Sequence, residues 1–215
     1  MKIFLDTADY HAIAERYETG LVDGITTNPT LVRKSGVNYL DFIKTLASDF
    51  AFESISAEVD GDTDVEMIRN AQQYIEVGEN VTIKLPLTKD GLSACKVLTD
   101  DGIETNVTLC FSAAQAVMAA KAGATYISPF VGRMNDNSFS GVELVRAISG
   151  LYCAHGVRTK ILAASLRDVH HVSRCFLYGA SVCTLPPAVF DKMYNHVLTD
   201  SGLAIFEKDF KEING

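Results

Sequence analysis

Eight short runs of β-type residues alternate along this chain with stretches of helix-type spacing, and no other feature limits the fold as much. The runs are Lys2–Thr7, Gly24–Asn28, Phe52–Val59, Val81–Leu87, Glu104–Cys110, Ala124–Val131, Lys160–Leu166 and Ser181–Pro186. Between them apolar residues recur at helical spacing, as in His11–Tyr17, Tyr39–Leu46, Val65–Ile75 and the Ala- and Met-rich Ser112–Ala122. Strands that alternate with helices argue a parallel sheet, its faces covered by the crossover helices. Eight units predict the α/β class and a closed (β/α)8 TIM barrel, formed as a single domain over residues 1–215. An open doubly wound sheet is the alternative. It would ordinarily carry a Gly-rich phosphate loop after its first strand, and Leu5-Asp6-Thr7-Ala8-Asp9 stands there instead. Gly24, Gly102, Gly123, Gly156 and Gly179 each stand just before a strand, a placement that suits helix C-caps.

Two further helical stretches follow the eighth run, Ala188–Leu198 and an extra C-terminal helix over about Ser201–Ile213. In the second, Leu203, Phe206, Phe210 and Ile213 share one face. A completed barrel has little apolar surface left to receive that face. It either packs back on its own barrel or docks on a neighbouring subunit.

Charge narrows the range of partners. The chain carries 19 basic and 27 acidic residues, a net charge of −8, with no Lys/Arg cluster. Nucleic acid is therefore a poor partner, while one or two arginines suffice for a small anion. No apolar stretch reaches the length of a membrane span, and Asp6 interrupts the N-terminus too early for a secretory signal. Five scattered cysteines without a C-x-x-C pair suit reduced thiols in the cytoplasm. His170 and His171 are adjacent and cannot share a helix face as ligands, and His11, His155 and His196 are scattered, so no metal site is expected.

In a barrel, inward-facing residues near the C-terminal strand ends form the site, and period-two alternation identifies them. In Val81-Thr-Ile-Lys-Leu-Pro-Leu87 the apolar residues face the helices, so Thr82, Lys84 and Pro86 face inward. A lysine inside so apolar a strand is costly unless it is paired or used. It either pairs with a carboxylate to fill the barrel or serves as an amine nucleophile that forms a Schiff base with a carbonyl, a role that an apolar setting favours. The same parity turns Asp6, Thr26, Asn28, Ser54, Ser56, Glu58, Asn106, Thr108, Ser128 and Phe130 inward. Nucleophile, acid/base groups and hydrogen-bonding groups then face one another, which is an active-site inventory. Arg133 and Arg167 follow the sixth and seventh runs, with Ser165 beside the latter, where barrels commonly hold a phosphate.

With these residues in place, the chain resembles the short bacterial and phage-type transaldolase-like group that also contains fructose 6-phosphate aldolase. The resemblance covers nearly the whole chain. It rests on Phe4-Leu-Asp-Thr7, Gly24-Ile-Thr-Thr-Asn-Pro29, Ile83-Lys-Leu-Pro86, Asn106-Val-Thr108 with Phe111-Ser-Ala-Ala-Gln115, Ile127-Ser-Pro-Phe-Val-Gly-Arg133, and Ala163-Ala-Ser-Leu-Arg167. It implies that Lys84 is the Schiff-base lysine and Asp6 the acid/base for carbon–carbon cleavage. It also implies that Glu58 and Thr108 hold a proton-shuttling water. Asn28 and Asn106 would bind the dihydroxyacetone unit, Thr26 and Ser128 would line the pocket, and Arg133, Ser165 and Arg167 would take the sugar phosphate. Relatives that act as aldolases carry Gln where Glu58 stands and Tyr where Phe130 stands, so both positions here are of the transaldolase type. The resemblance thus implies a cofactor-free enzyme of the pentose phosphate pathway. It would exchange sedoheptulose 7-phosphate and glyceraldehyde 3-phosphate with erythrose 4-phosphate and fructose 6-phosphate. A lyase that releases dihydroxyacetone is the alternative, and a non-catalytic sugar-phosphate-binding barrel is a more remote one. The group's usual assembly, a decamer of two pentamers with each C-terminal helix packed on a neighbour, implies a homo-oligomer.

Overall fold

The computed structural model describes residues 1–214 and shows eight parallel strands in sequence order, with the last pairing with the first. The strands are β1 (Lys2–Asp6), β2 (Gly24–Thr26), β3 (Ser54–Glu58), β4 (Val81–Pro86), β5 (Thr105–Cys110), β6 (Tyr126–Pro129), β7 (Lys160–Ala163) and β8 (Val182–Leu185). The helices are α1 (Tyr10–Tyr17), α2 (Pro29–Ser35), α3 (Tyr39–Asp49), α4 (Asp64–Ile75), α5 (Lys89–Asp100) and α6 (Ala113–Lys121), followed by α7 (Val131–Asp136), α8 (Gly141–Ala154), α9 (Val169–Leu177), α10 (Pro187–Lys192) and α11 (Val197–Asn214). This is the expected single-domain TIM barrel, and the open-sheet alternative is excluded by closure of β8 on β1.

Local chemistry sets the helix boundaries. Asp9, Asn28, Asn38, Thr88, Ser112, Ser140 and Asp168 each cap a helix by accepting a hydrogen bond from the backbone N–H three residues on. Thr63 and Glu66 complete a reciprocal capping box on α4. Gly102, Gly123, Gly156 and Gly179 have positive φ where helices end, as their positions predicted, but Gly24 lies inside β2 and has none. A Cβ there would press on the Phe4 ring, so Gly24 leaves room for an aromatic side chain within the barrel.

Each strand is shorter than its β-type run by at least one residue, with β1, β4 and β5 nearly complete, β6 losing the most and β3 and β7 the next most. The trimmed ends turn into loops and caps. Asn28 ends its run by capping α2, and Phe130 takes the N-cap position of α7 without a side-chain bond. The outward strand residues Leu5, Ile25, Ile55, Ile83, Leu85, Val107, Ile127 and Leu185 are wholly buried under the helices. Each such side chain contributes about 1.5–3 kcal/mol on burial. Inside the barrel the two halves differ. Phe4, Tyr126, Leu162, Ala164 and Val182 form an apolar cluster contributed by β1 and β6–β8 and the residue following β7. Ser54, Ser56, Thr82 and Asn106 fill the β3–β5 side and bond to one another.

At the C-terminus the helix break falls four to six residues earlier than expected. α10 ends at Lys192, and His196 starts α11 by accepting the Leu198 N–H on Nδ1. The apolar face does not pack back on its own barrel. Leu203, Phe206, Phe210 and Ile213 are 61–76% exposed.

Candidate active site

One pocket opens at the C-terminal strand ends and encloses about 460 Å³, counting its mouth. β4 delivers Lys84, which is 5% exposed. Its Nζ lies 2.9 Å from Glu58 Oε2 on β3 and donates a 3.0 Å hydrogen bond to the Thr27 carbonyl. A lysine–carboxylate pair is also what an inert barrel filling would contain. This one differs because its lysine opens on the pocket beside a second carboxylate, Asp6.

Asp6 ends β1 and lines the same pocket. Enclosure by protein pushes its carboxyl above the usual range, and the Glu58 carboxylate pushes the same way. The Lys84 ammonium and the Thr26 hydroxyl, which donates to Asp6 Oδ1 at 3.0 Å, pull it back down. Glu58 is fixed from behind by Tyr39. The Glu58 N–H donates to the Tyr39 hydroxyl at 2.7 Å, and that hydroxyl lies 2.5 Å from Thr27 Oγ1. Thr27 already donates to the Ser56 carbonyl, so Tyr39 is the donor in their pair. Burial raises the Tyr39 phenol well above its ordinary value, so this donor keeps its proton.

On β5, Asn106 is wholly buried, accepts from Ser128 at 2.6 Å and donates to Ser56 at 3.2 Å. Thr108 follows on the same face. Its Oγ1 is the one buried side-chain polar atom without a partner among the described residues. The register of β5 against β6 slips between Val107 and Cys110, and Leu109 takes a left-handed φ of 63°. This irregularity ends the regular ladder where the pocket needs a polar group.

The remaining expected residues form the rim. Asn28 lines the pocket, but its Oδ1 is occupied in capping α2, which leaves its amide NH2 to face a ligand. Phe130 packs edge-on against Phe111 and carries the Arg133 guanidinium 4.8 Å above its ring. Ser165 lines the pocket with a left-handed φ of 59°. A Cβ on Gly132 would collide with the Ser165 carbonyl, so only glycine lets α7 approach the loop after β7 this closely. Arg167 is the exception. It does not line the pocket, and its Nη1 donates to Asp136 at 2.5 Å at the exposed rim.

The parity argument missed Thr184, Leu162 and Ala164, all of which line the pocket. It also missed Thr27 and Tyr39, which act from behind it. Thr184 was within reach, because β8 alternates Val182 and Thr184 inward just before Pro186. Tyr39 was not, since no strand or motif marks it. Among the described residues no three His, Cys, Asp or Glu side chains converge as a metal site.

A buried lysine beside two carboxylates at the C-terminal strand ends of a (β/α)8 barrel suits an enzyme of the aldolase and transaldolase kind. The comparison with known proteins agrees. The family model described as transaldolase/fructose-6-phosphate aldolase matches residues 3–214, and the chain belongs to that family. A protein of Caulobacter vibrioides named probable transaldolase is 51% identical over 210 residues, 98% of this chain and 96% of its own. Probable transaldolases of Paracoccus denitrificans and Ruegeria sp. are 50% and 51% identical, each across 98% of this chain and 96% or 97% of their own length.

Proposed function

We propose that the chain is a transaldolase that moves a dihydroxyacetone unit between phosphosugars through a Schiff base on Lys84. The observation that carries this is the placement of Lys84 Nζ, 2.9 Å from Glu58 and facing a pocket that Asp6 also lines. The amine must be neutral to attack the ketose carbonyl, and Glu58 is close enough to take its proton. Addition gives a carbinolamine. Protonation of its hydroxyl and loss of water give the iminium, with the proton carried between Glu58 and the unpartnered Thr108 hydroxyl by a water. Asp6 then accepts the proton of the substrate C4 hydroxyl as the C3–C4 bond breaks, its electron pair flows into the iminium, and the aldehyde leaves. The resulting enamine adds to a second aldehyde by the reverse of these steps.

Asn106 and the Asn28 amide would hold the hydroxyls of the three-carbon unit, with Thr26 and Ser128 shaping the pocket around it. Arg133 and Ser165 would receive the phosphate, joined by Arg167 once it leaves Asp136. The transferase reading rests further on Phe130, which carries no proton to protonate the enamine and release free dihydroxyacetone. The substrates would be those of the pentose phosphate pathway, with no cofactor. Five cysteines without a disulfide among them fit a cytoplasmic setting. The exposed apolar side of α11 fits a homo-oligomer, for which the family's decamer of two pentamers is the expectation.

Purified protein is incubated with fructose 6-phosphate, with and without erythrose 4-phosphate. Glyceraldehyde 3-phosphate that forms only with the acceptor, and without free dihydroxyacetone, is the expected result. Turnover that needs no acceptor and releases dihydroxyacetone would make the enzyme a lyase.

A further inference from the structure

The barrel closes with β1 between β2 and β8, so inward side chains from both flanking strands meet beneath the β1 carboxylate. Thr26 pairs in register with Asp6, and Thr184 pairs with Phe4, two residues deeper. Their hydroxyls are 2.7 Å apart, and the side chains are 3% and 2% exposed. A threonine hydroxyl has one proton. Thr26 gives its proton to Asp6, so Thr184 must be the donor in the Thr184–Thr26 pair. A directed chain runs from Thr184 to Thr26 to the carboxylate.

We infer that Thr184 is a positioning residue, which orients the Thr26 hydroxyl so that its proton points at the carboxylate assigned here to carbon–carbon cleavage. This rests on the transaldolase reading, in which Asp6 is that acid/base. Without Thr184, the Thr26 hydroxyl loses its buried donor and is free to rotate. The carboxylate then loses a hydrogen bond that favours its charged form. The charged and titratable groups around Asp6 are Lys84 on β4 and Glu58 on β3. Asp6 acts as a base in donor cleavage and is idle when protonated. The acidic limb of kcat/KM therefore moves to higher pH when the chain is broken.

The test compares wild type with Thr184→Val, which keeps shape but removes the hydroxyl, with Thr184→Ala in case valine disturbs the barrel, and with Thr184→Ser. Active sites are counted by borohydride trapping of a dihydroxyacetone adduct on Lys84, and kcat and KM per trappable site are followed against pH. Valine and alanine should lower kcat about tenfold, a fraction of the 10²–10⁴ that a positioned acid/base supplies, with KM little changed and the acidic limb moved upward. Serine should restore both. A loss of trappable sites with unchanged kcat per site and an unchanged limb would show a merely structural threonine and overturn the inference. Failure of wild type to trap on Lys84 would overturn the Schiff-base reading itself, and this inference with it.

Discussion

Asp6 shows how one residue can serve chemistry against stability. Its carboxyl is pushed up chiefly by enclosure, so folding costs its charged form more than its neutral one. A carboxyl whose folded value is raised destabilises the fold progressively as pH climbs from its unfolded value through the folded one, fully above the folded value and not at all below the unfolded one. Asp6→Asn should therefore abolish turnover yet raise Tm at pH 7 by about 2–4 °C, the shift that about 1 kcal/mol gives in a chain of this size. Melting curves at pH 7 and pH 4 check the sign, because the gain should shrink at the lower pH. Lys84→Met is the complementary change. It should leave the barrel folded and eliminate the borohydride-trappable adduct, and an adduct that persists on another lysine would displace Lys84 from its role. Most of these residues were legible in the sequence, because strand parity alone turns Asp6, Glu58, Lys84, Asn106 and Thr108 to one side. What parity does not reveal is a side chain's second engagement. Asn28 spends its carbonyl on a helix cap, and Arg167 is turned to Asp136.

At the scale of the element, the site depends on how closely two loops approach. Gly132 opens α7 directly against the Ser165 carbonyl, and Arg133 follows on the same turn. Gly132→Ala forces the two segments apart and with them Arg133 and Ser165, the groups proposed to take the phosphate. The change should raise KM for fructose 6-phosphate by about tenfold, the equivalent of roughly 1.4 kcal/mol of lost binding. Trapping with unphosphorylated dihydroxyacetone should be unaffected, and equal losses with both ligands would place the damage elsewhere. The count and order of the strands were readable because apolar alternation reports burial on two faces. Strand ends were not, because β6 and β7 stop just before residues that lead into a helix or enter left-handed backbone, as Phe130 and Ser165 do. The slip in β5 at Leu109 is equally silent, since leucine gives no sequence sign of positive φ.

At the scale of the whole molecule, α11 is the element that the barrel leaves unexplained. The closed barrel buries the apolar faces of the helices that surround it, while α11 extends 18 residues with Leu203, Phe206 and Ile213 outward on one side. At roughly 1.5–3 kcal/mol for each such side chain buried, a single chain forgoes several kcal/mol that an interface would recover. The helical spacing of these residues announced the face, but not what it meets, because spacing carries no information about a second molecule. The expected outcome is that the wild type sediments as a homo-oligomer. Leu203→Glu combined with Phe206→Glu should sediment as a monomer with its far-ultraviolet spectrum intact, since the substitutions add charge to a surface that the folded barrel does not use. Sedimentation velocity at micromolar concentration decides it, and a wild type that runs as a monomer would remove assembly as the reason for the face. Trapping on Lys84 should survive in the dissociated variant, because no residue assigned to the pocket lies on α11.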